Sequence, residues 1–277
     1  MDRYAVFGHP VGHSKSPQIH AAFAAQTGQS LSYEAIDAPP NGFAAALREF
    51  IDQGGRGCNV TVPFKDEAYR LADRCDALAR QAQAVNTLRV EPDGRLGGFN
   101  TDGVGLLRDL TQNLGLALAG RRVLLVGAGG AAAGIVGPLL AAGIAELVIV
   151  NRTPQRAGDL ARRFAAHGPV RASALQAPGS GFDLVLNATA AGLDGRAPDL
   201  PVAVFSPETV AYDLVYGPAA GPFLALARQA GAGACHDGLG MLVEQAAEAF
   251  FVWRSVRPQT ESVLAELRAS PRAALSK

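Results

Sequence analysis

The sequence predicts an α/β protein, a mixed N-terminal unit followed by a doubly wound parallel sheet. From Arg121 onward, short apolar strands alternate with helical stretches, the pattern of a parallel sheet covered by helices on both faces. A glycine cluster, Gly127 to Gly130, lies directly between one such strand and the helix after it. Over the first hundred residues the strands end instead in proline turns and a hairpin signal, which mark a mixed α/β unit. At 277 residues the chain suffices for about two domains. Its 48% hydrophobic and 18% charged residues describe a globular chain with ample core.

The elements follow in order. Residues 3–7 form a first strand, stopped by Gly8-His9-Pro10. Ser16 before Pro17 reads as an N-cap with proline at the first helical position, opening a helix that ends near Gly28. Tyr33 to Asp37 is a second strand. Asn41 is placed to cap a helix whose Phe43, Leu47, Phe50 and Ile51 recur at helical spacing before Gly54-Gly55. Cys58 to Val62 is a third strand, with helical residues from Lys65 to about Ala84. Val85–Val90 and Leu96–Asn100 flank Pro92-Asp93-Gly94 as a hairpin. Asp102 opens a helix that ends around Gly115, and Leu116 to Gly120 connect it onward. Strands at Val123–Val126, Leu147–Val150, Leu184–Leu186 and Val210–Leu214 then alternate with helices. Two final helices, Met241–Arg254 and Thr260–Ala269, follow the turn Gly238-Leu239-Gly240, with Phe250, Phe251 and Trp253 as their core.

Composition excludes several functions. The net charge is zero and the pI near 7, so no basic field points to nucleic acid or anionic lipid. Cys58, Cys75 and Cys235 are odd in number and lack a CxxC, which suits buried thiols in a reducing compartment better than disulfides or zinc. Val123 to Ala145 carries no charge and has the length to span a bilayer. Its six glycines and Pro138 fit a buried strand, a tight loop and a small-residue helix instead. Met1 to Phe7 lacks a signal-peptide apolar region. The expectation is a cytoplasmic protein that acts on a small molecule, with no nucleic-acid, membrane or metal partner.

Gly127-Ala128-Gly129-Gly130-Ala131-Ala132 matches the G-x-G-x-x-G/A dinucleotide fingerprint in its required strand–loop–helix context. Such a loop lets the backbone approach a pyrophosphate, which meets the free N–H groups of the helix start. Domains of this kind are Rossmann domains. An NAD-binding strand usually ends in Asp or Glu, but here Glu146–Val150 runs into Asn151-Arg152-Thr153-Pro154-Gln155-Arg156. Two arginines and a threonine hydroxyl suit a 2′-phosphate, so NADP(H) is expected over NAD(H).

Only three of the 25 basic residues are lysines, and Lys65 closes the apolar run Asn59-Val60-Thr61-Val62-Pro63-Phe64. Arginine stays charged, whereas a lysine amine can exchange a proton. Lys65 at a strand mouth fits proton chemistry or a solvated loop. Two roles fit Asp102 in Asn100-Thr101-Asp102-Gly103: an N-cap, or a carboxylate that holds a substrate hydroxyl and pairs with an ammonium. Ser14 and Ser16 offer two hydroxyls at a helix start, which suits a carboxylate ligand, an N-cap or simple solvation.

With Tyr4-Ala5-Val6-Phe7-Gly8, Ala84-Val85-Asn86-Thr87, Asn187-Ala188-Thr189 and Asp237-Gly238-Leu239-Gly240-Met241-Leu242 added, these motifs closely resemble the shikimate dehydrogenase family over nearly the whole chain. The resemblance implies reversible reduction of 3-dehydroshikimate to shikimate by NADPH, a step of aromatic amino-acid biosynthesis. It implies that residues 1–101, completed by C-terminal helices over 238–277, bind substrate, and that residues 102–237 bind NADP(H). Ser14 and Ser16 would take the substrate carboxylate, and Thr61, Asn86, Asp102 and Gln245 the ring hydroxyls. Asn59 and Tyr216 would line the pocket, with Lys65 and Asp102 as the acid–base pair. Gly127, Ala128, Gly129, Gly130, Ala131, Asn151, Arg152, Thr153, Arg156, Thr189, Leu214 and Gly238 would hold the cofactor. The expected assembly is a monomer or homodimer. Two departures stand out: Ala132 and Ala133 replace a polar pair common in relatives, and Leu214 replaces a methionine. The rival expectations are a quinate-preferring paralogue and an NADPH-sensing module without catalysis. His9, His13, His20 and His236 are expected to take no ligand or catalytic role.

Overall fold

Two six-stranded sheets organise the chain, which the computed structural model describes over residues 1–269. The first is built from β1 (Asp2–Gly8), β2 (Leu31–Asp37), β3 (Gly55–Val60), β4 (Arg74–Cys75), β5 (Thr87–Val90) and β6 (Leu96–Phe99). Between them lie α1 (Ser16–Thr27), α2 (Phe43–Asp52), α3 (Lys65–Leu71) and α4 (Ala77–Ala82). The spatial order is β2-β1-β3-β5-β6-β4. β1, β2 and β3 run parallel, whereas β3–β5 and β5–β6 are antiparallel, so the sheet is mixed.

β1 shows how alternation builds this half. Ala5 and Phe7 face α2, where Phe7 meets Phe43 and Phe50 edge-on at 5.7 Å. Tyr4, pointing the other way, stacks on Trp253 at 4.6 Å. Trp253 belongs to α9 (Leu239–Arg254), which with α10 (Glu261–Ala269) returns to this sheet and packs on Ile19 and Phe23 of α1. Of the aromatic trio expected in that core, Phe251 is 43% exposed, because it falls on the outer face of α9 while Phe250 is fully buried.

α5 (Asp102–Arg108) leads out of the first sheet, and a single π-helical turn, Asp109–Asn113, follows it. The second sheet holds β7 (Arg122–Val126), β8 (Glu146–Val150), β9 (Val170–Ser173), β10 (Leu184–Asn187), β11 (Val210–Asp213) and β12 (Ala234–His236). Its helices are α6 (Gly130–Ala141), α7 (Pro154–Phe164) and α8 (Gly221–Gln229). All six strands are parallel, in the order β12-β11-β10-β7-β8-β9, the doubly wound Rossmann arrangement. Val123 and Leu125 pack toward Ile135 and Leu139 of α6, while Leu124 and Val126 pack toward Phe182 and Phe223. With both faces covered, the strand reads as a continuous apolar run. The uncharged stretch at 123–145 is this strand, its loop and a helix of 12 residues. No helix among the described residues is long and apolar enough to cross a membrane.

Several local expectations change. Ser16 is the first helical residue of α1 and Lys15 its N-cap, with no capping side chain. The Ser16 side chain accepts instead from Ser14 Oγ at 3.1 Å. Gly42 rather than Asn41 caps α2. The third strand spans 55–60, because Thr61 to Phe64 turn to deliver Lys65. The helix expected from Lys65 to Ala84 breaks into α3 and α4. Asp73 accepts from Leu96 N, drawing the chain into β4, and Asp76 caps α4 through Ala79 N at 2.6 Å. Strands β4, β9 and β12 are too short to announce themselves by periodicity. Of the three free thiols only Cys58 is fully buried. Residues 270–277 of the expected C-terminal segment lie outside the described residues.

Candidate active site

The turn after β3 and the loop after β6 bring two side chains 37 residues apart into contact. Lys65, at the start of α3, donates from Nζ to Asp102 Oδ2 at 2.5 Å. Asp102 is 1% exposed and the Lys65 side chain 12%, so the pair is buried yet the amine keeps a path to solvent. Asp102 opens α5 but does not cap it; Thr101 is the N-cap, and the carboxylate turns inward. Removing either member would leave the other charge buried and uncompensated.

Asn86 supports the pair. Its Nδ2 lies 2.8 Å from Asp102 Oδ1, 2.9 Å from Thr101 Oγ1 and 2.9 Å from Gln245 Oε1. Its Oδ1 accepts from Thr101 N at 2.9 Å and Thr87 Oγ1 at 3.0 Å. Two amide hydrogens serving three acceptors leave one of those oxygens ready to take a ligand hydroxyl. Gln245 comes from α9, which explains why the C-terminal helices must return to the first sheet.

Asn59 donates to Thr87 Oγ1 at 3.0 Å and accepts from Tyr33 OH at 2.7 Å. Burial, and to a lesser degree the Cys58 thiol, pushes the Tyr33 phenol well above its ordinary range, with the Ser16 hydroxyl pulling the other way. Tyr33 thus ties β2 to Asn59 through its hydroxyl. Ser14 Oγ accepts from Ser16 N at 3.2 Å, and Lys15 N donates to Tyr216 OH at 3.4 Å. Tyr216 follows β11, so the second sheet reaches across to the Ser14–Ser16 loop. Thr61 is half-buried, and its backbone N–H is spent on Phe7 O at 2.8 Å.

The glycine loop sits at the switch point between β7 and β10, where ligands enter doubly wound sheets. Gly127 has φ +117°, closed to ordinary L-residues. At Gly129 a β-carbon would meet nothing within 4 Å, so the cradle is open. No side chain caps α6, which leaves its first N–H groups free for an anion. At Gly130 a β-carbon would stand 3.2 Å from Lys65 Cβ, so the loop abuts Lys65.

Beyond β8, Arg152, Thr153 and Arg156 are exposed, and Asn151 Nδ2 donates to Thr153 O at 3.0 Å. Neither guanidinium is engaged by another described residue. Two uncommitted cations beside an open phosphate cradle fit a dinucleotide with an extra phosphate. Thr189 donates from Oγ1 to Asn187 Oδ1 at 2.8 Å, and Asn187 donates to Asp213 Oδ2 at 2.9 Å. Burial raises the Asp213 carboxyl to about 7. Asp213 Oδ1 also accepts from Val215 N, which steadies the Leu214 segment, and Gly238 N donates to Val215 O at 2.9 Å.

The expected residues therefore fall in two groups that meet at Lys65 and Gly130. Sequence reasoning missed Tyr33, Thr87, Asn187 and Asp213, which hold the expected residues in place. Thr87 and Asn187 lie in motifs given above; Tyr33 and Asp213 stand alone in strands, where nothing local separates them from core. Of the histidines, His9 contacts Asp37 at 2.6 Å and His20 lies in an aromatic cluster.

Residues 6–88 match the shikimate dehydrogenase substrate binding domain, 109–193 shikimate/quinate 5-dehydrogenase, and 238–268 the shikimate 5′-dehydrogenase C-terminal domain. A shikimate dehydrogenase (NADP(+)) of Dechloromonas aromatica is 56% identical over 269 residues, covering 97% of this chain and 98% of that protein. Among solved structures, an Ael1 enzyme from Pseudomonas putida is 49% identical with a TM-score of 0.88, covering 96% of this chain and 98% of that one. The Thermus thermophilus shikimate 5-dehydrogenase in complex with NADP(H) and shikimate is 37% identical with a TM-score of 0.83, covering 97% and 99%.

Proposed function

The chain belongs to the shikimate dehydrogenase family, and from that premise we propose that it catalyses the reversible, NADPH-dependent reduction of 3-dehydroshikimate to shikimate. The observation that carries the proposal is the buried Lys65–Asp102 pair set directly against the glycine loop. Bound in that loop, the cofactor supplies a hydride to the carbonyl carbon. Lys65 supplies the other half of the reduction, a proton from Nζ to the carbonyl oxygen as it becomes a hydroxyl. Asp102 holds the ammonium in place, and the amine regains its proton through its solvent-facing side. In the oxidising direction the neutral amine takes the hydroxyl proton.

The remaining side chains orient the ring. Ser14 and Ser16 receive the carboxylate, while Thr61, Asn86, Asp102 and Gln245 hold hydroxyls. Asn59 and Tyr216 wall the pocket. Gly127 to Ala131 cradle the diphosphate, with Thr189, Leu214 and Gly238 along the rest of the cofactor. Asn151, Arg152, Thr153 and Arg156 receive the 2′-phosphate, which sets NADP(H) above NAD(H). Residues 1–101 with the helices after 238 make the substrate part, and 102–237 the cofactor part. Three free thiols fit a reducing cytoplasm, and the enzyme works there as a monomer or homodimer.

Steady-state kinetics with shikimate and quinate, each against NADP and NAD, test the proposal. Shikimate with NADP is expected to give the highest kcat/KM. Better turnover of quinate with NAD overturns it.

A further inference from the structure

We infer that α6, besides opening toward the cofactor, fixes the position of Asp102, with Gly134 as the positioning residue; this rests on the reading of Lys65 and Asp102 as the acid–base pair. Gly130, Gly134 and Pro138 recur every four residues and so share one face of α6. That face lies against the acid–base pair itself. A β-carbon at Gly130 would stand 3.2 Å from Lys65 Cβ and 3.3 Å from Asp66 Oδ1. One at Gly134 would stand 2.7 Å from Asn100 Oδ1, 2.9 Å from Asn100 Nδ2 and 3.0 Å from Asp102 Oδ2. From the facing helix, a β-carbon at Gly103 would stand 2.2 Å from Pro138 Cγ and 2.7 Å from Gly134 O.

The neighbours of Gly134 do not yield freely. Asn100 is 1% exposed, donates to Ala84 O at 2.9 Å and accepts from Asp102 N at 3.1 Å. Asp102 Oδ2 therefore has Lys65 Nζ at 2.5 Å on one side and the bare backbone of α6 on another. A methyl group at 134 must displace the Asn100 amide, which accepts from Asp102 N, and press on Asp102 Oδ2, or else prise α6 from α5. Gly137 supplies the contrast on the same helix. A β-carbon there would meet Gln81 Oε1 at 2.8 Å, the far end of a flexible side chain that can swing away, and Phe164 Cε1 at 3.3 Å; no atom of Lys65, Asn100 or Asp102 is among its nearest neighbours. Both glycine-to-alanine changes favour the helix by about 1 kcal/mol, so helix propensity does not separate them.

The test compares the parent with Gly134→Ala, Gly137→Ala and Pro138→Ala. Three readouts are taken: steady-state kinetics, NADPH affinity by fluorescence, and acetylation of Lys65 against Lys15 by peptide mass spectrometry at one pH. Gly134→Ala is expected to lower kcat about tenfold or more, as for a displaced catalytic group. Its NADPH affinity is expected to stay within about threefold, and Lys65 acetylation to rise at least about threefold once the carboxylate no longer holds the ammonium. Gly137→Ala is expected to match the parent in all three. Pro138→Ala removes atoms from the same contact and improves helix propensity, and is expected to raise Lys65 acetylation about twofold. Parent-like acetylation of Lys65 in Gly134→Ala overturns the inference, as does parent-like acetylation in Pro138→Ala if Gly134→Ala fails to fold. A parent without turnover on shikimate, joined to altered acetylation in Gly134→Ala, supports the positioning and refutes the proposed reaction instead.

Discussion

Replacing His20 by phenylalanine should flatten the acid side of the stability profile. His20 is 0% exposed, stacked on Tyr33 at 4.2 Å and 9°, with Phe23, Phe250 and Trp253 around it. Neither ring nitrogen has a hydrogen-bond partner among the described residues. Burial drives its pKa from 6.5 down to about 3, against a weaker opposing pull from Asn59. The folded state thus keeps the ring neutral where the unfolded chain already binds a proton. The resulting stability is complete above pH 6.5 and lost as pH falls toward 3. At about 1.4 kcal/mol per pH unit, the loss is about 2 kcal/mol by pH 5 and about 3 kcal/mol by pH 4. That is a large share of a typical 5–15 kcal/mol total. Phenylalanine keeps the stacking and removes the proton. Urea unfolding followed by Trp253, the only tryptophan and 5.3 Å from His20, reads the difference directly. His20→Phe should gain about 2 kcal/mol on the parent between pH 7.5 and 5. Parallel pH profiles over that window would refute the reasoning.

Lys65→Ala should fold and bind NADPH yet lose about a hundredfold or more in kcat, as for a missing general acid; near-parental turnover would remove Lys65 from the chemistry. Arg152→Asp should raise the KM for NADP about tenfold and shift preference toward NAD, since a carboxylate repels the 2′-phosphate and suits ribose hydroxyls. Unchanged Michaelis constants for both cofactors would count against that clamp. Asp213 makes the opposite pH prediction to His20. Its carboxyl rises by burial from 3.8 to about 7, so the stability it contributes is present below 3.8 and lost as pH climbs through 7. Relative to Asp213→Asn, the parent should lose about 3 kcal/mol between pH 5 and 8.5, measured by urea unfolding; a constant difference would show that Asp213 ionises freely.

What was legible in the sequence had local causes. β7 is apolar from Val123 to Val126 because both its faces are covered there, and the glycine loop stands out because Gly127 needs its positive φ. The mixed first sheet was legible through turn residues and α2 through its spacing. What stayed hidden depends on partners far along the chain. β4 pairs only Arg74 and Cys75 with Gly97 and Gly98, too few residues for a period. Tyr33 is a strand residue whose role exists only because Asn59 ends up 2.7 Å away. Lys65 itself showed compositional oddity, but its partner Asp102 came from resemblance, since no local rule pairs residues across a domain.

The glycine loop illustrates how one short run can answer two demands of which the sequence shows one. The dinucleotide pattern explains glycine at 127 and 129 by the tight turn and the approach of a phosphate, and leaves position 130 open. The structure adds a second constraint at 130, where the neighbour is the β-carbon of Lys65, and it continues that constraint one turn later at 134. A phosphate alone would be satisfied by any loop with open N–H groups. In the proposed reaction the same helix must also lie close enough to Lys65 and Asp102 for a hydride and a proton to reach adjacent atoms of one carbonyl. Spacing between the two halves of the site is therefore set by backbone-to-side-chain contact at Gly130 and Gly134. A side chain at 130 would press on Lys65, and one at 134 on Asn100 and Asp102.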